Sequence, residues 1–148
     1  MDHIILVNRS YFPKIDDLKQ GKNKLPFLAK FGFIVTFFGN SIKGYAQPDR
    51  KKRTKTFRIW DADKSNFSKN ILDDFQRHQA ELKRYIEDSG NLIKGKAIIS
   101  SPANKYFVYT LAAAFDIIVV HEERHYNQAM GLLEGMLRAS ATAHVDKC

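Results

Sequence analysis

Two histidines, His121 and His125, stand four residues apart in the segment His121-Glu122-Glu123-Arg124-His125. In a helix this spacing puts both rings on one face, where their nitrogens can bind one divalent metal ion. As a bare pattern the segment also matches the zincin peptidase motif, with Glu122 in the place of the general base. The sequence therefore predicts metal chemistry, and the type of metal site decides the function.

A metal site needs a third ligand, and three further histidines are available: His3, His78 and His144. Their positions along the chain do not rank them. Neutral imidazoles suit zinc, nickel, copper or iron, so the residue types do not select one metal.

The histidine pair belongs to the longest helix that the sequence predicts, from Tyr106 to about Ala139. Within it a single stripe at helical spacing predicts the face turned to the core, so both histidines are expected to point inward. The stripe consists of Leu111, Ala114, Ile118, His121, His125, Gln128 and Leu132.

Helices are also predicted from His3 to about Ile15, where Pro13 is expected to kink or shorten the helix, and over residues 65–88. Ser65 or Ser68 would cap the second of these helices, and Gly90 would end it in the left-handed conformation. The apolar segment Phe27–Phe38 fits a helix or a strand. Glycines and a proline then predict a long irregular connection over about 39–64, in which Phe57–Trp60 reads as extended. The predicted fold class is all-α, a helical bundle.

Composition places these helices in one domain, residues 1–148, with a flexible tail at about 140–148. The lone cysteine, Cys148, suits a reducing compartment, and the absence of a signal peptide or membrane span predicts a cytoplasmic protein. The net charge of +8 permits an acidic partner. The basic run Arg50–Arg58, near Phe57 and Trp60, is interpreted as a solvated loop because no nucleic-acid-binding motif accompanies it.

The segment from Tyr106 to Met130 resembles the last helix of DinB-like (DinB/YfiT) proteins, which carries His-x-x-x-His with Arg before the second His and Gln three residues after it. Arg124, His125 and Gln128 match that pattern. Met1-Asp2-His3-Ile4-Ile5 looks like the family's second helix, where a histidine supplies the first ligand. The resemblance extends over the segment Phe75–Leu82, Lys94-Gly95-Lys96 and Ser101-Pro102, and thus over most of the chain.

The resemblance implies a four-helix bundle with a metal triad of His3, His121 and His125, and with zinc or nickel as the expected metal. The first ligand of the family lies some tens of residues into the domain, whereas here it is residue 3. We therefore expect an N-terminally truncated bundle lacking the first helix. Such a bundle exposes apolar surface, which predicts a homodimer or a poorly stable chain.

Relatives implied by the resemblance include thiol-dependent transferases and isomerases, in which a low-molecular-weight thiol binds the metal. We therefore expect a metal-dependent hydrolase or a thiol-dependent S-transferase that acts on a small-molecule substrate. Gln128, Arg124 and Glu122 are the candidates for supporting the site, with a structural ion pair favoured for Arg124. One alternative is a non-catalytic metal-binding or stress-response bundle. The other, a zincin-type peptidase, lacks the His-x-x-Gly-x-x-His continuation after the motif.

Overall fold

The computed structural model describes residues 1–47, 58–60 and 69–145, and five α-helices and two short strands lie within these ranges. The α-helices are α1 (Asp2–Lys19), α2 (Gly32–Ala46), α3 (Ile71–Glu87), α4 (Gly90–Lys94) and α5 (Leu111–Val145). Strands β1 (Ile98–Ser100) and β2 (Val108–Thr110) pair antiparallel, with Ile99 opposite Tyr109. Two 3₁₀ turns, Phe27–Lys30 and Arg58–Trp60, complete these elements. The described chain is thus mostly helical, which confirms the predicted class at this level but adds a two-stranded sheet.

The core forms where α1 meets the first turns of α5 and the strand pair. Val7, Tyr11, Phe12 and Ile15 contribute the buried apolar face of α1. From the other elements the core includes Leu82, Ile99, Tyr109, Leu111, Ala114, Phe115, Ile117 and Ile118. A smaller cluster of Ala29, Val35 and Val108 lies between α2 and β2. Burial of this apolar surface is the main force that holds the helices together.

Helix α1 runs through Pro13 to Lys19, so the expected shortening of this helix is wrong. Proline lacks an N–H, which removes one hydrogen bond to a carbonyl one turn earlier. Buried residues on both sides of Pro13, among them Tyr11 and Ile15, pack into the core and hold the helix through this defect.

Helix α2 crosses Gly39 and Gly44, although the sequence predicted a break at these glycines. A Cβ atom on Gly39 would meet the Cβ atoms of Tyr109 and Ala113 at 3.4 Å. Gly39 therefore permits a close approach of α2 to β2 and α5, and the packing gained there outweighs the low helix propensity of glycine.

Helix α3 begins at Ile71 with Asn70 before it, and Ser65 and Ser68 lie outside the described residues. The predicted left-handed cap at Gly90 is wrong, because Gly90 begins α4 and the glycine with positive φ is Gly21. The segment Arg58–Trp60, expected to be extended, is a 3₁₀ turn, and Phe57 lies outside the described residues. Arg50–Arg53 and Cys148 also lie outside them.

The long helix was predicted to begin at Tyr106, but α5 begins at Leu111 because Val108–Thr110 pair with β1. At its other end α5 continues to Val145, into the segment expected to form a tail. The buried stripe of α5 ends before the predicted Gln128 and Leu132, which are exposed. Among the described residues, no helix combines the length and the apolar character needed to cross a bilayer.

Candidate metal centre

Three histidine rings converge where the first turn of α1 faces the middle of α5. His3, His121 and His125 each offer a ring nitrogen, and these atoms all lie within 4.8 Å of one another. The ring centroid of His3 is 5.3 Å from each of the other two centroids, and those of His121 and His125 are 4.6 Å apart. All three residues are half-buried. Histidine, cysteine and acidic side chains can all bind metal ions, and among the described residues these three histidines form the group that lies close enough together to share one.

Helix geometry explains the pair on α5. Residues four apart lie one turn from each other on the same face, so His121 and His125 project side by side. Their Nε2 atoms are 3.1 Å apart. Two nitrogens bound to one zinc ion at about 2.0–2.1 Å in a tetrahedral arrangement lie about 3.4 Å apart, so this spacing fits one shared metal ion.

A main-chain carbonyl orients His3. Its Nδ1 lies 2.8 Å from the carbonyl oxygen of Trp60. Because a carbonyl oxygen only accepts hydrogen bonds, Nδ1 of the neutral ring carries the proton and donates it. The other nitrogen, Nε2, then keeps its lone pair, as a metal ligand requires.

Burial keeps the two histidines of α5 neutral. Loss of hydration, together with the neighbouring His125, His3 and Arg124, lowers the pKa of His121 to about 3. Loss of hydration, then the charges of His3, the amino terminus and Arg124, lower the pKa of His125 to about 4. At neutral pH both rings are therefore unprotonated, which is the state that binds a metal ion.

The Nδ1 atom of His121 is buried without a hydrogen-bond partner among the described residues. Buried polar atoms are usually paired, because loss of hydration without compensation is costly. The three imidazoles are a donor set that fits a divalent metal ion. Ligation through Nε2 does not explain the unpaired Nδ1, because a ligating histidine normally donates its other N–H to a partner.

Glu122 points into a buried polar cluster formed by α1, α3 and α5, which we call the Asn8 cluster. Its Oε1 atom accepts hydrogen bonds from Asn8 Nδ2 at 2.6 Å and from Gln79 Nε2 at 2.8 Å. Asn8 Nδ2 also lies 3.1 Å from Nε2 of His78. Asn8 and His78 are fully buried.

His78, one of the three candidates for the third metal ligand, belongs to the Asn8 cluster. Burial and the charge of Arg9 lower the pKa of His78, so the ring is neutral. The Nε2 atom of His78 accepts a hydrogen bond from the side-chain amide of Asn8. The His78 ring is not part of the group formed by His3, His121 and His125. His144 lies in the last turns of α5, and its side chain is outside the described residues.

Neither of the other two predicted supporting residues makes a hydrogen bond to the three histidines within the described residues. Arg124 donates from Nη1 to the carbonyl oxygens of Tyr45 and Gln47 at 3.2 and 3.4 Å. It therefore holds the end of α2 through carbonyls, and it makes no ion pair of the expected kind with the residues that the structure describes. Gln128 is exposed and makes no hydrogen bond to the three histidines within the described part of the chain.

Sequence reasoning missed Asn8, Gln79 and Trp60 as residues around the site. A signal for Asn8 exists, because it continues the buried stripe Ile4, Asn8, Tyr11 and Ile15 of α1. A polar amide in such a stripe requires polar partners in the core. No comparable signal marks Trp60, which reaches His3 from 57 residues away along the chain.

A scan against models of protein families, a search of curated proteins and a search of solved structures each found no match. The DinB-like resemblance therefore stays a prediction.

Proposed function

We propose that this chain binds one divalent metal ion through His3, His121 and His125, and that the ion acts as a Lewis acid on a small-molecule substrate. The observation that carries the proposal is the convergence of three histidine nitrogens within 4.8 Å from two separate helices. Zinc or nickel is the metal that we expect, although the imidazoles by themselves would also suit copper or iron.

The protein residues supply a site prepared for the ion. The pKa values of about 3 and 4 keep His121 and His125 unprotonated, and the Trp60 carbonyl accepts the N–H of His3 Nδ1, which leaves the lone pair of Nε2 for the ion. A three-histidine set is characteristic of catalytic sites, in which a further position stays open for water or substrate.

A metal ion held in this way lowers the pKa of a bound water molecule or thiol and polarises a bound group. We therefore propose a hydrolase or an S-transferase that uses an external low-molecular-weight thiol, in agreement with the resemblance to DinB-like proteins. Arg124 contributes its positive charge, which disfavours protonation of both histidines of α5.

A non-catalytic metal-binding role is the second candidate. The acid next to His121 in sequence, Glu122, is already engaged by the amides of Asn8 and Gln79. The same engagement argues against the zincin peptidase, which requires this glutamate to act on metal-bound water. If no other base serves the site, metal binding supports the structure or a stress response rather than catalysis.

Metal analysis of the purified protein tests the proposal, with His125→Ala as the ligand variant and Tyr126→Ala as its control. Tyr126 is the next residue of α5 and is 63% exposed. We expect about one equivalent of metal in the wild type and in Tyr126→Ala, and its loss in His125→Ala. A wild type without stoichiometric metal would overturn the proposal, and metal retained by His125→Ala would show that the ligands are wrong.

Once metal binding is established, an activity assay distinguishes the metal-dependent enzyme from the non-catalytic metal-binding protein. The loaded protein is assayed with activated esters and, in the presence of a small thiol, with electrophilic acceptors. Metal-dependent turnover that His125→Ala loses supports the enzyme. Stoichiometric metal without turnover in either assay favours the non-catalytic role.

A further inference from the structure

The 3₁₀ turn Arg58–Trp60, which we call the Trp60 turn, lies against α1, and two hydrogen bonds of Trp60 join it to this helix. The Trp60 carbonyl oxygen accepts the N–H of His3 Nδ1 at 2.8 Å. The Trp60 indole Nε1 donates to Ser10 Oγ at 3.0 Å. Both contacts are made by Trp60, so its main chain and its side chain together hold the turn against α1.

The two contact points on α1 share one face of the helix. His3 and Ser10 are seven residues apart, which is about two turns or roughly 10 Å. Trp60 therefore spans two turns of α1, with its carbonyl at the metal centre and its indole at the far end. Ser10 Oγ in turn donates to the carbonyl oxygen of Val7, which leaves the hydroxyl oxygen available to accept the indole N–H.

The bond to His3 determines which ring nitrogen faces the metal centre. A neutral histidine exchanges its proton between Nδ1 and Nε2, and the partner of one nitrogen selects the tautomer and the ring orientation. Without the Trp60 carbonyl, the His3 ring would also turn about its side-chain bonds. Its Nε2 would then lie in the cluster for only part of the time.

We propose that Trp60 is a positioning residue for the metal centre, and that docking of the Trp60 turn on α1 is coupled to metal binding. The inference rests on the proposed function, because it requires an ion bound by His3. Docking of the Trp60 turn raises the affinity for the metal ion, because it fixes the tautomer and the orientation of the His3 ring. By thermodynamic linkage, a bound ion must stabilise docking of the turn to the same extent.

The chain offers an internal probe of this coupling, because Trp60 is its single tryptophan. Tryptophan fluorescence therefore reports on the Trp60 turn alone. Zinc added to metal-free wild-type protein should shift the emission to shorter wavelength as the indole becomes less hydrated. Nickel, whose partly filled d shell quenches a nearby indole, should reduce the intensity.

Two conservative variants test the positioning role. Ser10→Ala removes the acceptor of the indole N–H, and Trp60→Phe keeps an aromatic ring and the carbonyl but removes the donor. Thr36→Ala is the matched control, because Thr36 Oγ1 makes a comparable bond to a carbonyl of its own helix, that of Gly32, away from the site. Zinc dissociation constants are measured by competition with a chromophoric chelator.

We expect the zinc Kd to rise about tenfold in Ser10→Ala and in Trp60→Phe, as for other residues that orient a metal-binding histidine. Thr36→Ala should match the wild type. Zinc binding with equal Kd in all four proteins would overturn the positioning role alone. Tight binding without any change in Trp60 emission would overturn the coupling. A wild type that binds no metal would overturn the proposed function itself and this inference with it.

Discussion

Asn8 of α1 and Glu122 of α5 are joined by a 2.6 Å hydrogen bond from the amide nitrogen to the carboxylate oxygen. This bond lies in the Asn8 cluster, beside the metal centre, because Glu122 directly follows His121 and Asn8 lies five residues after His3. It directs the glutamate of the His121–His125 motif into the helix interface. The relationship between α1 and α5 is thus defined by polar contacts as well as by apolar packing.

Asn8→Ala is expected to destabilise the protein by about 1–3 kcal/mol. The change leaves the half-buried Glu122 carboxylate with one amide donor fewer and removes the partner of His78 Nε2. Urea unfolding followed by circular dichroism measures the loss. Asn40→Ala, at an exposed position of α2, is the control and should change the free energy of unfolding by less than about 0.5 kcal/mol. Equal stability of the two variants would show that the Asn8 cluster contributes nothing.

Gly39→Leu is expected to destabilise the protein by about 1–3 kcal/mol, because a larger side chain must displace Tyr109 or Ala113. A single added Cβ meets those two residues at 3.4 Å, so Gly39→Ala should be tolerated. Gly44→Leu is the control, since a Cβ there meets nothing within 4 Å. Thermal unfolding of the three variants checks the prediction, and a Gly39→Leu protein as stable as Gly44→Leu would contradict it.

Acid is expected to destabilise the metal-free protein. The pKa values of His121 and His125 are about 3 and 4 in the folded chain, against about 6.5 when unfolded. Between these values the unfolded chain binds more protons, so the free energy of unfolding falls as the pH drops from about 6.5 towards 4. Above pH 7 the two histidines leave the free energy of unfolding unchanged, because they are unprotonated in both the folded and the unfolded chain.

Urea unfolding at pH 7 and pH 5, with a chelator present, measures this effect. The double variant His121→Gln/His125→Gln is the control, because it removes both titrating rings and should lose less stability between the two pH values. The same loss in the control and the wild type would assign the acid sensitivity to other groups.

Self-association is the remaining prediction, and the second half of α5 supports it. Leu132 and Leu137 are 71% and 62% exposed, and Leu133 and Met130 are also exposed. Contiguous apolar surface of this kind is characteristic of interaction sites. We therefore expect sedimentation equilibrium to give the mass of a homodimer.

Leu133→Lys is expected to shift that dimer towards the monomer. Asn127→Lys adds the same charge to an exposed polar position of the same helix and should leave the mass unchanged. A monomeric wild type, or a dimer equally stable in both variants, would mean that this surface is not the interface.

The sequence by itself determined the most local part of the site. The spacing of His121 and His125 predicted two rings on one face, because an α-helix repeats every 3.6 residues whatever surrounds it. The apolar stripes of α1 and of the first half of α5 followed from the same periodicity. The mostly helical class was also predictable for this reason.

Helical spacing left His3 and His78 unranked, and the resemblance to DinB-like proteins implied His3. The tertiary structure brings His3 and not His78 to the pair on α5, because this depends on which faces of α1 and α3 meet α5. Both residues lie on helices near the His121 segment, but His78 contacts Asn8 whereas His3 lies beside His121 and His125. The approach of α2 at Gly39 and the pairing of β1 with β2 likewise join distant segments. Such contacts are selected by the packing of the whole chain, and periodicity along a single helix carries no information about them.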